Sequence, residues 1–309
     1  MTLPPRLLLI VNPVASGVGP RSERDAIEAM SPFATVEVVH TQHGGHAAEL
    51  AQAAADAGFD AVVVLAGDGT VNEVLGAVGV RVPVGALPAG GTSVLARALG
   101  LGRSVADAAR EVALAARDGR VREIALGSLA GRVFAFNAGI GIDADVVRRI
   151  DSRGRAHGRR PGDAAFAFEA ARALASRRYS HPLLSVEVAG RAPLRGTSVL
   201  AANNAPWSFA GPFALQVAPR ARFELGIDVA VPADLRARRL PGIGRALVSG
   251  RHAGGQMPGL AYLHDVDQVH VRSDEPLPAQ VDGEDLGDLS EAVLRVVRPG
   301  ARMLVPRIT

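Results

Sequence analysis

The sequence predicts a two-domain chain. A doubly wound α/β domain with a parallel sheet covers residues 1–122, an antiparallel β-rich domain covers 123–287, and a tail, 288–309, packs back on one of them. Three observations predict it. Up to about Arg120, short apolar runs alternate with helix-patterned segments, the texture of a parallel sheet covered on both faces. Beyond Arg120 the chain becomes strand-like pieces parted by turn residues. The length, 309 residues with 48% hydrophobic, is enough for two cores.

The elements follow in order. Arg6 to Val11 reads as a strand ending at the turn Asn12-Pro13, and Gly17 to Gly19 extend that loop. Ser22 to Met30 is a helix, Thr35 to His40 an alternating strand, and Gly45 to Gly58 an Ala-rich helix stopped by Gly58. Ala61 to Leu65 is a continuous apolar strand, Thr70 to Ala77 a helix, Val84 to Leu87 a strand, and Ser93 to Leu99 and Val105 to Asp118 are helices. In the second half, VREIALGSL, RVFAFNAGIGI, LLSVEVAG, RGTSVLAANN and ELGIDVAV are the strand pieces. An Arg-rich insertion, Val146 to Gly162, interrupts them, with helices expected over Asp163–Ser176 and Pro232–Val248. The tail, Ala292 to Val305, reads as one or two strands.

Composition excludes several chemistries. All 34 basic residues are arginine, and cysteine is absent. Disulfides, thiolate nucleophiles, Cys-bound zinc, a P-loop lysine and Schiff-base catalysis are therefore out. A net charge of +3 gives no field that implies nucleic acid. No apolar run reaches the roughly 18 residues of a membrane span. The N-terminus lacks a secretory cleavage pattern, so a cytoplasmic protein is expected.

The stretch Leu65–Val74, LAGDGTVNEV, ends a buried strand with Asp68 held between Gly67 and Gly69 and then starts a helix. Ligands of open parallel sheets bind beyond the carboxyl ends of the strands. Glycines there permit positive φ and close approach, and helix amides face an anion. The alternative is a tight turn with a Thr70–Glu73 capping box. Three further loops of small residues follow the first, second and fourth strands: Asn12 to Gly17, Thr41 to His46 and Pro88 to Ser93. Together they point to a nucleotide-phosphate site.

The blocks VNPVASG, AGDGTVNEV, LPAGGTSVLARALGL, NAGIGIDADVV, APRARFELGIDV and VDGEDLG, with the Thr41 loop, run over nearly the whole chain. In that order they resemble the diacylglycerol-kinase-type lipid kinases, the bacterial group similar to sphingosine kinases. The loop is shared more distantly with NAD kinases and phosphofructokinases. The resemblance implies a kinase with ATP and Mg2+ in a ligand cleft between the two domains and a lipid substrate. Asn12, Thr41, Ala66, Gly67, Asp68, Gly69, Thr70, Asn72, Gly90, Gly91 and Thr92 would hold ATP. Glu284 would be the general base on the lipid hydroxyl, and Asp68 and Asp143 would serve magnesium and positioning. From the residues alone, Glu284 also reads as a solvated turn carboxylate and Asp143 as an Asx turn. The sequence departs from the family at Ala66, at Gly91 and Ser93, and at Leu225, which stands where the family has a structural magnesium ligand beside Glu224.

Arg148 to Arg160 reads either as a solvated face or as an attraction for anionic headgroups, which would make the protein peripheral at the inner membrane face. Trp207 and Phe209 would line a lipid groove or sit in the core. His40, His43 and His46 fit no zinc template and read as loop residues. A homodimer stays open, as do two other functions: a kinase of a soluble hydroxyl compound, and a nucleotide- or lipid-binding protein that has lost turnover.

Overall fold

The computed structural model describes residues 3–91, 93–157, 163–210, 213–251 and 257–307. They fall into two compact units, one made of Met1–Ile124 and Arg298–Thr309, the other of Ala125–Val297.

The first unit contains β1 (Arg6–Val11), α1 (Pro20–Met30), β2 (Thr35–His40), α2 (His46–Asp56), β3 (Ala61–Ala66), α3 (Asp68–Val78), β4 (Val84–Pro88), α4 (Val94–Ala98) and α5 (Val105–Asp118). Strands β4, β3, β1 and β2 lie in that order, every pair parallel. All six residues of β3 are buried, as its unbroken apolar run requires. Edge strand β2 keeps only partial burial. Helix α1 begins two residues earlier than expected, because Pro20 suits the first helical turn, where its missing N–H is not needed. Met303 pairs in parallel with Val84, so the tail rejoins this unit.

The chain passes to the second unit within β5 (Val121–Leu129). There follow β6 (Arg132–Phe134), β7 (Asn137–Ile140), α6 (Ile142–His157), α7 (Asp163–Ala175), β8 (Leu184–Glu187), β9 (Leu194–Gly196), β10 (Val199–Ala202), β11 (Ser208–Ala210), β12 (Phe213–Leu215), β13 (Ile227–Pro232), α8 (Leu240–Ser249), β14 (Leu260–Val266), β15 (Gln268–Val281) and β16 (Glu284–Leu304). Strands β14, β13, β10, β7 and β15 are joined in that order by antiparallel pairs, and β16 returns along β15. Phe134, Tyr179, Leu184, Val199, Val229 and Val281 are among its core side chains.

Three expectations change. The Arg-rich insertion is helical as far as His157, and residues 158–162 lie outside the described residues. The helix expected from Pro232 starts at Leu240, because Ile227–Pro232 pairs with strands on both sides. Proline is tolerated at the end of that strand, where its carbonyl still accepts Thr197 N–H at 2.8 Å. The boundary expected at 287/288 falls inside β16, whose pairing with β15 persists to Arg295.

Candidate functional site

The sequence brings the four small-residue loops to the carboxyl ends of β1, β2, β3 and β4, and α3 ties them together. Asn12 Nδ2 donates to Thr70 Oγ1 at 2.9 Å. Gly45 N–H donates to Glu73 Oε2 at 3.1 Å. Asp68 accepts Val94 N–H at 3.0 Å on one oxygen and Leu95 N–H at 3.2 Å on the other. Gly17 N–H donates to Ala89 O at 2.9 Å, closing the first loop on the fourth. Thr70 and Glu73 thus reach the first and second loops, and Asp68 the start of α4, which follows the fourth.

This geometry corrects the local reading. Helix α3 starts at Asp68, not Thr70, so Thr70 is inside the first turn and the Thr70–Glu73 capping box does not form. Gly67 is extended at φ −85, and Gly69 is helical, so neither adopts the positive φ that the motif suggests. Ala66 ends β3 in the core and Asn72 is buried on α3, while Thr41 is half-buried and its N–H donates to Val11 O. Thr92 lies outside the described residues. Ser93 adopts φ 45, and its hydroxyl bonds the Gly90 backbone.

The glycine of the fourth loop that sterics demand is Gly90, where a Cβ would lie 2.8 Å from Gly67 Cα. A Cβ on Gly91 would meet nothing within 4 Å. Gly90→Ala is therefore expected to force the third and fourth loops apart and cost about 1–3 kcal/mol. Gly91→Ala should melt like wild type. Equal melting curves for the two variants would contradict the packing.

In the second unit, Asp282 and Gly283 form the two-residue turn between β15 and β16, with φ 47 and 82, the backbone of a primed hairpin turn. The buried Asp282 carboxylate accepts Ala135 N–H at 2.6 Å, Phe136 N–H at 3.0 Å and Asn137 N–H at 2.9 Å. Glu284 opens β16 half-exposed, and Arg132 donates to it at 3.0 Å. Asp143 sits in the first turn of α6, where Gln280 Nε2 donates to its Oδ2 at 2.6 Å. Gln280 carries no motif signal of its own, yet it bonds Asp143 and the turn that leads to Glu284. A sequence sign of the turn is the Asp-Gly pair between apolar strands.

Burial raises the Asp143 carboxyl to about 6, with the Gln280 hydrogen bond pulling the other way. The folded state thus binds this proton more tightly than the unfolded chain. Its contribution to stability falls as pH rises from about 4 to about 6. Asp143→Asn lacks that fall. Its stability relative to wild type should rise by roughly 1–2 kcal/mol across this window, the N-terminal position on α6 tempering the effect. Urea melts at pH 4 and pH 7 measure it, and a pH-independent difference would contradict it.

Several expectations resolve nearby. Arg148 is bound to Asp285 through two bonds, at 2.9 and 3.0 Å, and to Asp288 at 2.6 Å, while Arg149 pairs with Asp145. These two arginines are thus paired with carboxylates of the protein itself. The side chains of Arg153, Arg155, Arg159 and Arg160 lie outside the described residues. Trp207 packs with Leu200, Val217 and Leu260 in a core cluster, and the Phe209 side chain is outside the described residues. Glu224 is exposed, and among the described residues no metal-capable cluster includes it. His43, His46 and Glu49 bring ligand atoms within 4.8 Å of one another. His46 Nδ1 accepts Gln42 N–H, a bond that a metal on that nitrogen would have to displace. Among the described residues, no helix is long and apolar enough to cross a membrane.

Comparison with known proteins agrees with this architecture. Residues 6–129 match the diacylglycerol kinase catalytic domain, and residues 137–305 match the YegS C-terminal NAD kinase β-sandwich-like domain. Human sphingosine kinase 2 is 34% identical over 107 residues, a stretch covering 31% of this chain and 16% of the human protein. The structure of a candidate diacylglycerol kinase from Bacillus anthracis superposes with a TM-score of 0.75 at 19% identity, over 99% of this chain and 98% of that one. A further structure, described as a diacylglycerol kinase from the same organism, gives 0.72 at 15% identity with the same coverage. Those two show the fold. The catalytic-domain match over the first unit and the β-sandwich match over the second make this chain a member of the diacylglycerol-kinase catalytic-domain family, with the NAD-kinase-like fold.

Proposed function

We propose that this protein is an ATP-dependent lipid kinase that transfers the γ-phosphate of ATP to the hydroxyl of a diacylglycerol- or sphingosine-like lipid. The observation that carries the reading is the gathering of the loops around α3: Thr70 bonds the first loop, Glu73 the second and Asp68 the start of α4 just past the fourth, while Gly17 closes the first loop on Ala89 of the fourth. Phosphoryl transfer is catalysed by positioning and electrostatic stabilisation, which a rigid set of backbone donors supplies. The residues fit a nucleotide. A Cβ on Gly91 would meet nothing within 4 Å, and Asp68, whose oxygens each accept one backbone N–H, is a hard oxygen donor of the kind magnesium takes. Magnesium, when bound, neutralises phosphate charge. Thr41, the Ala66–Asn72 segment and the Gly90 loop hold the triphosphate, and Glu284 takes the proton of the lipid hydroxyl as it attacks.

The test is transfer of radiolabelled phosphate from γ-labelled ATP into a total lipid extract, with the labelled product identified. A labelled lipid is expected. Label confined to soluble compounds would favour a kinase of a soluble hydroxyl substrate, and ATP binding without any transfer would favour a binding protein. Gly69→Val probes the nucleotide side separately, because a branched side chain then stands in the first turn of α3. It should weaken ATP binding at least tenfold, about 1.4 kcal/mol, in calorimetry. Unchanged affinity would move the phosphate site elsewhere.

A further inference from the structure

The second unit holds one buried side chain that touches both candidate carboxylate elements. Gln280, near the end of β15, is 1% exposed. Its Oε1 accepts Gly283 N–H at 2.8 Å, and its Nε2 donates to Asp143 Oδ2 at 2.6 Å and to Asn137 Oδ1 at 3.0 Å. The orientation of the amide is fixed by chemistry. Gly283 N–H can only donate, so the oxygen must face the turn and the nitrogen must face Asp143. Both its N–H donors and its oxygen are thereby engaged inside the protein. Asn137, its third partner, is itself held by Nδ2 donating to Trp207 O at 3.1 Å.

What Gln280 holds is a costly backbone. Asp282 has φ 47, a conformation that a non-glycine residue keeps only where its surroundings over-determine it. The Asp282 carboxylate anchors the turn to residues 135–137 from one side, and the Gln280 oxygen fixes Gly283 from the other. The same amide then reaches the first turn of α6. We propose that Gln280 is a positioning residue that couples Asp143 to the turn carrying Glu284, so that the two carboxylates are set as one unit. Its catalytic consequence rests on the lipid-kinase reading, whereas the coupling itself does not.

Two variants divide the contacts. Gln280→Glu keeps an oxygen toward Gly283 and sets a second one against the Asp143 carboxylate. Gln280→Met removes every hydrogen bond at similar volume. The double variant Gln280→Glu/Asp143→Asn restores a donor–acceptor pair between positions 280 and 143 with its polarity reversed. Two readouts are taken on the full chain. One is amide exchange at Gly283. The other is steady-state transfer from ATP to dioleoylglycerol in mixed detergent micelles.

Both single variants should exchange faster at Gly283 and lose up to about 100-fold in kcat, the scale of a small misplacement of reacting groups. KM for ATP should stay within about twofold, because uniform substrate binding is untouched. The double variant should recover Gly283 protection. Should Gln280→Met fail to fold, Gln280→Glu carries the test alone. Unchanged exchange and kcat in the single variants, or fast exchange persisting in the double variant, overturns the coupling. Wild type that transfers nothing to dioleoylglycerol or to any lipid of the total extract, while exchange responds as described, sinks the lipid-kinase reading and supports the coupling.

Discussion

Asp282→Ala is expected to destabilise the second unit by roughly 3–5 kcal/mol, at the top of the range for single substitutions. The side chain is 6% exposed, and its two oxygens accept the N–H groups of Ala135, Phe136 and Asn137. Removing it leaves three buried donors without that acceptor. An orphaned buried donor costs about 1–3 kcal/mol, less where water or backbone shift relieves it. Alanine also lacks the tolerance of aspartate and asparagine for φ 47, which adds about 1 kcal/mol. Thermal melting followed at the second unit should drop by on the order of 10 °C, at 2–4 °C for each kcal/mol. Asp282→Asn keeps one oxygen and the backbone preference, so it should fall between the two. A melting point for Asp282→Ala within a degree of wild type would show that the turn holds without its anchor.

The turn itself had a sequence sign in Asp282-Gly283, but its anchoring of residues 135–137 was hidden, and the reason is physical. The strands of the first unit were legible because parallel strands covered on both faces must be continuously apolar, as Ala61–Ala66 is. The four loops were legible because close approach of backbones admits only small residues, as at Gly90 against Gly67. The side-chain bonds of Asp68, Thr70 and Glu73 were not, because their partners lie as far as 58 residues away along the chain. The S/T-x-x-E spacing mimicked a capping box while both residues served other loops. In the second half, the antiparallel texture was visible but its boundaries were not. Pro232 reads as a helix start by sequence and serves as a strand end in the fold. Within the Arg-rich run, the pairing of Arg148 with Asp285 and Asp288 was likewise invisible, because no local pattern records partners so far along the chain.

Glu284→Gln is expected to lower phosphate transfer by about 10²–10⁴, the usual contribution of a positioned base, while leaving ATP binding and folding nearly intact. Three features support the pattern. Glu284 opens β16 opposite Val281, directly after the anchored turn, so its backbone is fixed before any substrate binds. Its carboxylate meets Arg132 at 3.0 Å with both side chains about half exposed. Exposed pairs of this kind contribute only about 0–1 kcal/mol, so their loss cannot explain a large effect through stability. Glu284 is assigned to the lipid hydroxyl and not to the nucleotide, so ATP affinity measured by calorimetry should change little. Arg132→Gln completes the experiment. It deletes the same ion pair but keeps the carboxylate, and transfer should stay within a few-fold of wild type. A large loss in Glu284→Gln with a small one in Arg132→Gln assigns the effect to the base itself. Equal losses in the two would assign it to the ion pair, and full activity in Glu284→Gln would place the base on another residue.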